Sequence, residues 1–497
     1  MRRKTAEKEA FYMRRNVKKG LVFLIAVMLI FAAGGCRERT KTTYICKTPS
    51  PYVPQVQGKI RLNCYLARTE AERQSVRNWV AAFNKMYPDC EVEIDFTNYT
   101  KDEFYALLAS KSAGDVFSLC ESNLRYYAEE LSIVMPMDAY ARVLSTDLSA
   151  ISPAAYKMGT IDESLYMVVS NYSHTALTYN RGAIAAAELI DPVELDKKGE
   201  WTWDTFRAYC ETLTNDFNGD GMIDQLGAAI HFGTDPVYLS FLEGYGGSWY
   251  DLANKKVNFL SDDPAEMSLA ERGINEMVDT VLSGTVRYEP GRGLEGWDAV
   301  RSVKDTPELS SYSALDPVTD IVFRDLRFSE FNALANAYET AGIDWDCVSF
   351  PALPTHKVGA FAEGYGVNYK TMNPDSAAVL CLFLYTEEGQ RAYIGDEGCY
   401  MPSMESLRED SIWRAPFTDM KNDPVKGVYY DAWISYPEAD TYGQVECVLP
   451  SEVAHMMKNM MQNIVPDAVN GVCSVRDALK RLEVEVNEYW TSCPAGD

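Results

Sequence analysis

The chain predicts an α/β fold, and three observations carry that prediction. Apolar residues recur at period two and then at helical spacing, in alternation, from residue 59 onward. Clusters of Gly, Asp and Pro punctuate the change from one period to the other. At 497 residues and 47% hydrophobic content the chain can also bury more than one core.

The elements follow in order. Ile60, Leu62, Cys64 and Leu66 alternate with Arg61, Asn63 and Tyr65, which predicts a strand buried on one face. Val76, Trp79, Val80, Phe83 and Met86 then recur at helical spacing until Tyr87-Pro88 stops the pattern. Val92, Ile94 and Phe96 predict a second strand, Phe104 to Leu108 a second helix, and Val116 to Leu119 a third strand after Ala113-Gly114-Asp115. The last helix is legible too: Ser474 can cap it, Asp477 stands three residues on, and Val475, Ala478, Leu479, Leu482 and Val486 form one stripe. Trp79, Trp203 and Trp490 fit helical patterns or helix starts and are read as packing residues.

Ahead of the body lies a basic stretch (Arg14, Arg15, Lys18, Lys19), an apolar run from Leu21 to Ala33, and then Gly34-Gly35-Cys36. The run is too short to span a bilayer and has the parts of an export signal. Because the small residues lead into Cys36 and not into an Ala-x-Ala site, residues 1–35 resemble a bacterial lipoprotein signal peptide with Cys36 as the lipidated residue. A cleaved signal and an uncleaved anchor are the alternatives, since Ala33 stands where such signals usually carry Leu; Met13 is an alternative start. Residues 36–58 are polar and carry Pro49, Pro51 and Pro54, which predicts a lipid-anchored, flexible linker.

The net charge of −25 disfavours a phosphate backbone, so nucleic acid is not an expected partner. Twelve cysteines are scattered with no C-x-x-C, and Cys64, Cys120 and Cys381 lie in apolar patterns, which favours reduced, packing thiols over a disulfide framework.

A family resemblance then rests on an ordered series of segments. Trp79 through Phe83, Tyr87-Pro88-Asp89, Val92, Ile94 and Ala113-Gly114-Asp115-Val116 resemble the opening lobe of extracellular solute-binding proteins of the maltose-binding type, which serve ABC importers. In family order follow Gly159 to Tyr166, Leu177-Thr178-Tyr179-Asn180-Arg181, Trp201 to Phe206, Asn218-Gly219-Asp220-Gly221 with Gln225-Leu226-Gly227, and Gly246-Gly247-Ser248. Phe350 to Pro354, Asn373-Pro374 and its helix to Tyr385, and Thr386-Glu387-Glu388-Gly389-Gln390 complete a likeness over roughly residues 59–490. Between Gly293 and Ala341 the pattern departs: Thr306 to Phe331 is long and does not read as the family's compact strand.

What the resemblance implies is a two-lobed, periplasmic-binding-protein-like fold (type II), with hinge-linked lobes built on central mixed sheets flanked by helices. It places an N-terminal lobe at 59–167 plus 352–402 and a C-terminal lobe at 178–348 plus 403–490. It also implies a monomer that binds a mono- or oligosaccharide between the lobes, passes it to the transmembrane subunits of an ABC permease, and works outside the cytoplasm on a membrane anchor.

Two sets of residues are candidates for the site chemistry. Asp216, Asn218, Asp220, Met222 (through its carbonyl) and Asp224 stand at positions 1, 3, 5, 7 and 9 of an EF-hand-like Ca²⁺ loop with Gly221 at the sharp turn, but Gly227 takes the place of the bidentate Glu at position 12. A metal-free Asx/Gly turn is the alternative reading, and no cofactor is otherwise required. For a sugar, aromatic faces and fixed polar groups are needed, and the chain is 12% aromatic with 31 Tyr and 9 Trp. Open α/β sheets bind at the carboxyl ends of strands. That rule selects Glu70 after the first strand and Glu121 and Asn123 after the third; the crossover adds Tyr172 beside Asn171 and His174. Glycine-flanked stretches add Tyr245, Trp249, Glu363 and Tyr365.

Catalysis finds no support: the histidines His174, His231, His356 and His455 form no H-E-x-x-H, and there is no G-x-S-x-G or Walker loop. The reading is a binder and not an enzyme. A surface-anchored polysaccharide hydrolase and a sensory lipoprotein for a non-sugar solute are the rivals.

Overall fold

The computed structural model describes residues 52–97, 99, 101–109, 113–233, 235–289, 315–326, 331–395, 400–408, 429–433, 441–442 and 449–492. Residues 1–35, expected to be a signal peptide, together with Met13 and Cys36 lie outside these residues. No helix among the described residues is long and apolar enough to cross a membrane.

The first sheet takes strands β1 (Gly58–Asn63), β2 (Cys90–Asp95), β3 (Val116–Cys120), β4 (Val134–Met135) and β5 (Val168–His174). The second takes β6 (Ala176–Asn180), β7 (Leu226–Ile230), β8 (Val286–Tyr288), β9 (Ile321–Leu326) and β10 (Trp345–Ser349). The chain then returns to the first sheet with β11 (Val358–Asn368) and β12 (Thr441–Tyr442). The order in the first sheet is β12-β11-β3-β1-β2, with β4 and β5 also paired to β11; in the second it is β8-β7-β9-β6-β10. Both sheets are mixed: β1 lies parallel to β2 and β3 while β11 runs antiparallel to β3. Likewise β9 is parallel to β7 and antiparallel to β6. Each sheet has its own apolar core, so the molecule is two-lobed.

Helix α1 (Glu70–Met86) shows why these segments fold as they do. Thr69 and Glu72 form a capping box, a device that contributes about 1 kcal/mol. The predicted stripe of Val76, Trp79, Val80 and Phe83 is buried against the first sheet, with Trp79 4.7 Å from the Tyr365 ring. Met86, placed on that stripe by spacing, is exposed. In the second lobe, α4 (Trp203–Leu213) is capped by Thr202 and packs with α5 (Asp235–Gly244) and α6 (Leu269–Leu282); Trp203 meets Phe241 edge to face at 4.8 Å. The closing helices α10 (Ser451–Val469) and α11 (Val475–Ser492) complete this second core, and Trp490 is buried in it. The helices α8 (Pro374–Phe383) and α9 (Glu387–Ile394) belong to the first core.

The chain crosses between the lobes along two adjoining paths. β5 ends at His174 and β6 begins at Ala176, so Thr175 alone separates a strand of one sheet from a strand of the other, and its N–H donates to the Gly359 carbonyl at 3.3 Å. β10 leads back to β11 through 350–357, where Ala352 bridges Thr202. Gly359 is required here, because a Cβ would stand 2.0 Å from the Pro236 carbonyl oxygen at the start of α5. Within the second sheet, Asp346 on β10 accepts from the Arg181 guanidinium and from the backbone N–H groups of Cys347 and Tyr429.

Two particulars differ from the sequence-based expectation and a third agrees with it. The end of the expected spacer, residues 52–57, is held on the body: Tyr52 donates to Asp375, Gln55 N–H to Asp375 at 2.8 Å, and Gln57 N–H to Ser376 at 3.0 Å, where side chains at the start of α8 offer acceptors. The stretch that did not read as a strand contains β9, which lies between β7 and β6 and is buried at five of its six positions, the polar Asp325 included, so its sequence shows no alternation. Among the described residues the cysteines are free thiols, and most are buried as small apolar groups.

Candidate functional site

The parallel strands of both sheets point their carboxyl ends at the same place. In the first sheet β1 ends at Asn63 and β3 at Cys120, level with Glu363 in the middle of β11, whose start meets the crossover where Thr175 bonds Gly359. In the second sheet β9 ends at Leu326, paired with Ala176 at the other side of Thr175, and β7 runs alongside to Ile230. The side chains of Leu326 and Ala176 pack into the core of the first lobe, which fixes this edge of the second sheet against its neighbour. The loops that follow the strands of both lobes thus face one junction, where open α/β sheets place ligands.

On the first-lobe side, Glu121 is 1% exposed at the start of α3 (Glu121–Arg125), and its Oε2 accepts from the Ala362 N–H at 3.0 Å. Asn171 on β5 lies opposite Glu363 on β11, and Glu363 in turn lies opposite Cys120 on β3, so one strip of sheet carries all three. Asn171 is fully buried, yet neither end of its amide has a hydrogen-bond partner among the described residues, and the same holds for the Ser173 hydroxyl two residues on. Neighbours at that spacing share a face of the strand, about 7 Å apart. Leaving such a group unpaired costs about 1–3 kcal/mol, so a strand that keeps two of them needs a reason.

The opposite face of β5 carries Tyr172 and His174. The Tyr172 hydroxyl and His174 Nε2 are 2.8 Å apart, His174 Nδ1 is 2.8 Å from the Trp433 carbonyl oxygen, and the Arg408 guanidinium lies 4.9 Å from the Tyr172 ring centre. This cluster ties the crossover to the returning segment 429–433.

On the second-lobe side, His231 follows β7 directly. Its Nδ1 stands 2.8 Å and its backbone N 3.0 Å from Asp325 Oδ1, and Asp325 is the penultimate residue of β9. Beside them, Arg287 on β8 donates to Glu289 at 2.6 Å, and the Glu289 N–H donates to the Ile230 carbonyl at 2.8 Å. These residues were missed because the carboxyl-end rule was applied in sequence only to the first lobe; applied to Leu226–Ile230 it selects His231.

The sequence candidates divide by location. Glu121, Tyr172 and Glu363 stand at the junction. Asn123 is adjacent but bonds locally, its amide 3.0 Å from Cys120 Sγ. Glu70 is exposed at the first turn of α1, where the Arg77 guanidinium 2.6 Å away holds its carboxyl below the usual range. Tyr365 is 3% exposed beneath α1 and α9, its hydroxyl 3.1 Å from that of Tyr393, so it packs the first lobe. Trp249 is 1% exposed in the second core, stacked on Phe259 at 5.9 Å with its indole N–H donated to Glu243; its glycine-flanked position reflects a tight turn between packed elements. Tyr245 is half-buried, and burial followed by the Glu276 carboxylate pushes its hydroxyl up to about 12.

The candidate calcium loop is wound on itself. Asp216 accepts from the N–H groups of Gly219 and Gly221 at 2.7 Å each, Asn218 from Asp220, Asp220 from Met222, and Asp224 from Phe217 and Asn218. Gly219 and Gly221 take positive φ of 75° and 86°, which this winding needs. Among the described residues no group of three His, Cys, Asp or Glu side chains comes together as a metal site. The turn is thus complete through its own backbone donors.

Comparison with known proteins agrees with this architecture. The profile of the family described as bacterial extracellular solute-binding protein matches residues 67–391. Among solved structures, an ABC substrate-binding protein from Listeria monocytogenes in complex with cycloalternan is similar with a TM-score of 0.64 at 17% identity, over 88% of this chain and 99% of that one. The sugar-binding protein MalE from Xanthomonas citri gives 0.64 at 14% identity, over 87% and 98%. An ABC transporter solute-binding protein from Thermotoga lettingae bound with α-D-tagatose gives 0.62 at 14%, over 88% and 100%. No curated protein sequence matches the chain. Two lobes, facing strand ends and the profile match agree: this chain belongs to the bacterial extracellular solute-binding proteins.

Proposed function

We propose that the chain is the substrate-binding component of an ABC importer, that it takes a mono- or oligosaccharide at the junction of its lobes, and that a lipid on Cys36 holds it to the membrane. The observation that carries the binding half is the pair Asn171 and Ser173: a buried amide and hydroxyl, unpartnered among the described residues, where the strand ends of both lobes converge. An amide offers two donors and an acceptor, and a hydroxyl one donor and two lone pairs, which is the complement of a polyol. Glu121 and Glu363 add carboxylate acceptors on the same strip. An importer component needs no covalent step. A ligand touching both lobes favours the closed arrangement by its differential contacts, and the hinge at Thr175 absorbs the rotation.

The family is one of binding proteins that work outside the cytoplasm, and solved relatives carry cycloalternan and α-D-tagatose in their names. The test is a melting-temperature screen over cycloalternan, maltotriose and α-D-tagatose. A sugar that raises the midpoint in proportion to the logarithm of its concentration, without release of reducing ends, supports the reading. Release of reducing ends would support the hydrolase rival instead. For the anchor, Cys36→Ala should move the protein from the membrane fraction to the medium.

A further inference from the structure

Resting on the reading that a lipid on Cys36 anchors the chain, we propose that the exposed turn Tyr369–Met372, together with Val53, is a contact face for an anionic lipid bilayer. The first observation is where the chain that leads from Cys36 joins the body. Asp375, in the first turn of α8, accepts from the Tyr52 hydroxyl, from the Tyr140 hydroxyl at 2.8 Å and from the Gln55 N–H at 2.8 Å. The Ser376 hydroxyl accepts from the Gln57 N–H and donates to the Gln57 carbonyl, both at 3.0 Å, and Val56 packs against the first core. Residues 52–57 are therefore part of the first lobe, and the fifteen residues 37–51 are all that separate them from Cys36. A chain of that length spans at most about 55 Å, so an anchor at Cys36 keeps this end of the first lobe near the headgroups.

The second observation is what stands exposed there. Met372 is 88% exposed and Val53, between the two residues whose groups Asp375 accepts, 65%; Tyr369 and Lys370 are exposed beside them. A lone apolar residue on a surface needs no explanation, but this turn is braced from beneath. The Thr371 hydroxyl donates to Asp115 at 2.6 Å and accepts from the Asn373 N–H at 3.0 Å, the Lys370 N–H donates to Asn368 at 3.0 Å, and the Tyr369 N–H donates to the Ile133 carbonyl at 2.7 Å. These bonds fix the backbone to the body, so Met372 is held out in water. Tyr, Lys and Met suit a bilayer interface: the ring lies at headgroup level, the ammonium pairs with lipid phosphate, and the apolar chains dip below. The face also lies at the amino ends of the parallel strands, since Asp115 directly precedes β3 and Asn373 donates to the Lys59 carbonyl at the start of β1. The junction of the lobes is at the carboxyl ends, about 17 Å along β1, and a membrane on this face leaves it uncovered. Two apolar side chains and one charge hold a free protein only weakly, so the contact forms when the anchor supplies the local concentration.

The experiment uses the full chain as purified from membranes, labelled with ¹³C-methyl methionine and placed in nanodiscs of equal parts phosphatidylcholine and phosphatidylglycerol. Some of the lipids carry a gadolinium chelate on the headgroup, which broadens the signal of any methyl group close to the surface. Met372, assigned from Met372→Leu, should lose most of its intensity, while Met222 and Met267, exposed methionines of the second lobe, keep theirs. Lys370→Glu combined with Val53→Ser should restore the Met372 signal without releasing the protein from the disc, and unchanged positions of the buried methionine signals certify the fold. Cys36→Ala with free discs should leave Met372 sharp. If the chain carries lipid and stays with the disc while Met372 is attenuated no more than Met222 and Met267, or if the double variant changes nothing, the proposal is overturned and the anchor reading stands. If the purified chain carries no lipid at Cys36 and does not stay with the disc, the anchor reading falls and the proposal with it.

Discussion

Replacing Asn171 with Leu should stabilise the ligand-free protein and abolish much of its sugar affinity. Asn171 is fully buried on β5, and both polar atoms of its side chain are without a partner among the described residues. A buried amide in that position costs about 1–3 kcal/mol of desolvation, whereas Leu, of nearly the same shape, brings none of that cost and gains the transfer of its apolar surface. The expected change is therefore a gain of about 1–3 kcal/mol in unfolding free energy. A shift in midpoint of that size is a few degrees at most in so large a chain, so urea unfolding is the better measure. In the complex the same amide would bond sugar hydroxyls, and its loss leaves them buried and unpaired, which lowers affinity by about ten-fold to a hundred-fold. The assay is paired: urea midpoints without sugar, and titration with the sugar that the melting screen selects. A Leu variant that is destabilised, or that binds sugar as the parent does, would refute the assignment of Asn171 to the ligand.

Three further sites give testable outcomes. Asp346→Ala should cost about 3–5 kcal/mol, because Asp346, 1% exposed, is the partner of the Arg181 guanidinium and of the Tyr429 N–H; far-UV melting of the two proteins measures it. Burial, outweighing Arg181, pushes the Asp346 carboxyl up to about 6. Since an unfolded Asp titrates near 3.9, the folded chain holds more protons between about pH 4 and 6; this group's contribution is full below that window and is lost as pH rises through it, and Asp346→Asn should remove that slope. Gly359→Ala should destabilise by at least about 1–3 kcal/mol and alter lobe closure seen by small-angle scattering, because its methyl would lie 2.0 Å from the Pro236 carbonyl oxygen. At the Asp216–Asp224 loop, a bound calcium ion would raise the melting temperature in millimolar Ca²⁺ over EDTA, and Asp216→Ala would remove the difference; equal midpoints would leave the loop as a self-satisfied Asx/Gly turn.

The elements were legible wherever one face alone is buried. β1 and α1 declare themselves because Ile60, Leu62, Val76, Trp79 and Phe83 are apolar and buried while Arg61, Asn63, Arg77 and Asn78 between them are polar. β9 did not, since five of its six residues are buried, Asp325 among them, and its sequence Ile321-Val322-Phe323-Arg324-Asp325-Leu326 has no period of two to read. The segment from Tyr52 to Gln57 read as spacer because its holding partners, Asp375 and Ser376, lie more than 300 residues away in the chain. At the site, the rule of strand carboxyl ends led to Glu121, which lies at the end of β3 and bonds β11, whereas the glycine-flanked aromatics Trp249 and Tyr365 lie buried in the two cores. A buried tryptophan that stacks on Phe259 and a cleft tryptophan have the same local sequence.

What the sequence determined by itself was the alternation of strand and helix, the caps and stripes that start and cover each helix, and the order of segments shared with a family. These depend on contacts between near neighbours, which spacing records. Only the tertiary structure decided which polar residues stand together, since Asn171 meets Glu363, and His231 meets Asp325, through sheet pairing between segments far apart in the chain. Burial without a partner, the property that distinguishes Asn171 and Ser173 from the many other polar residues of this chain, exists only once both lobes are folded and water is excluded from the strand between them.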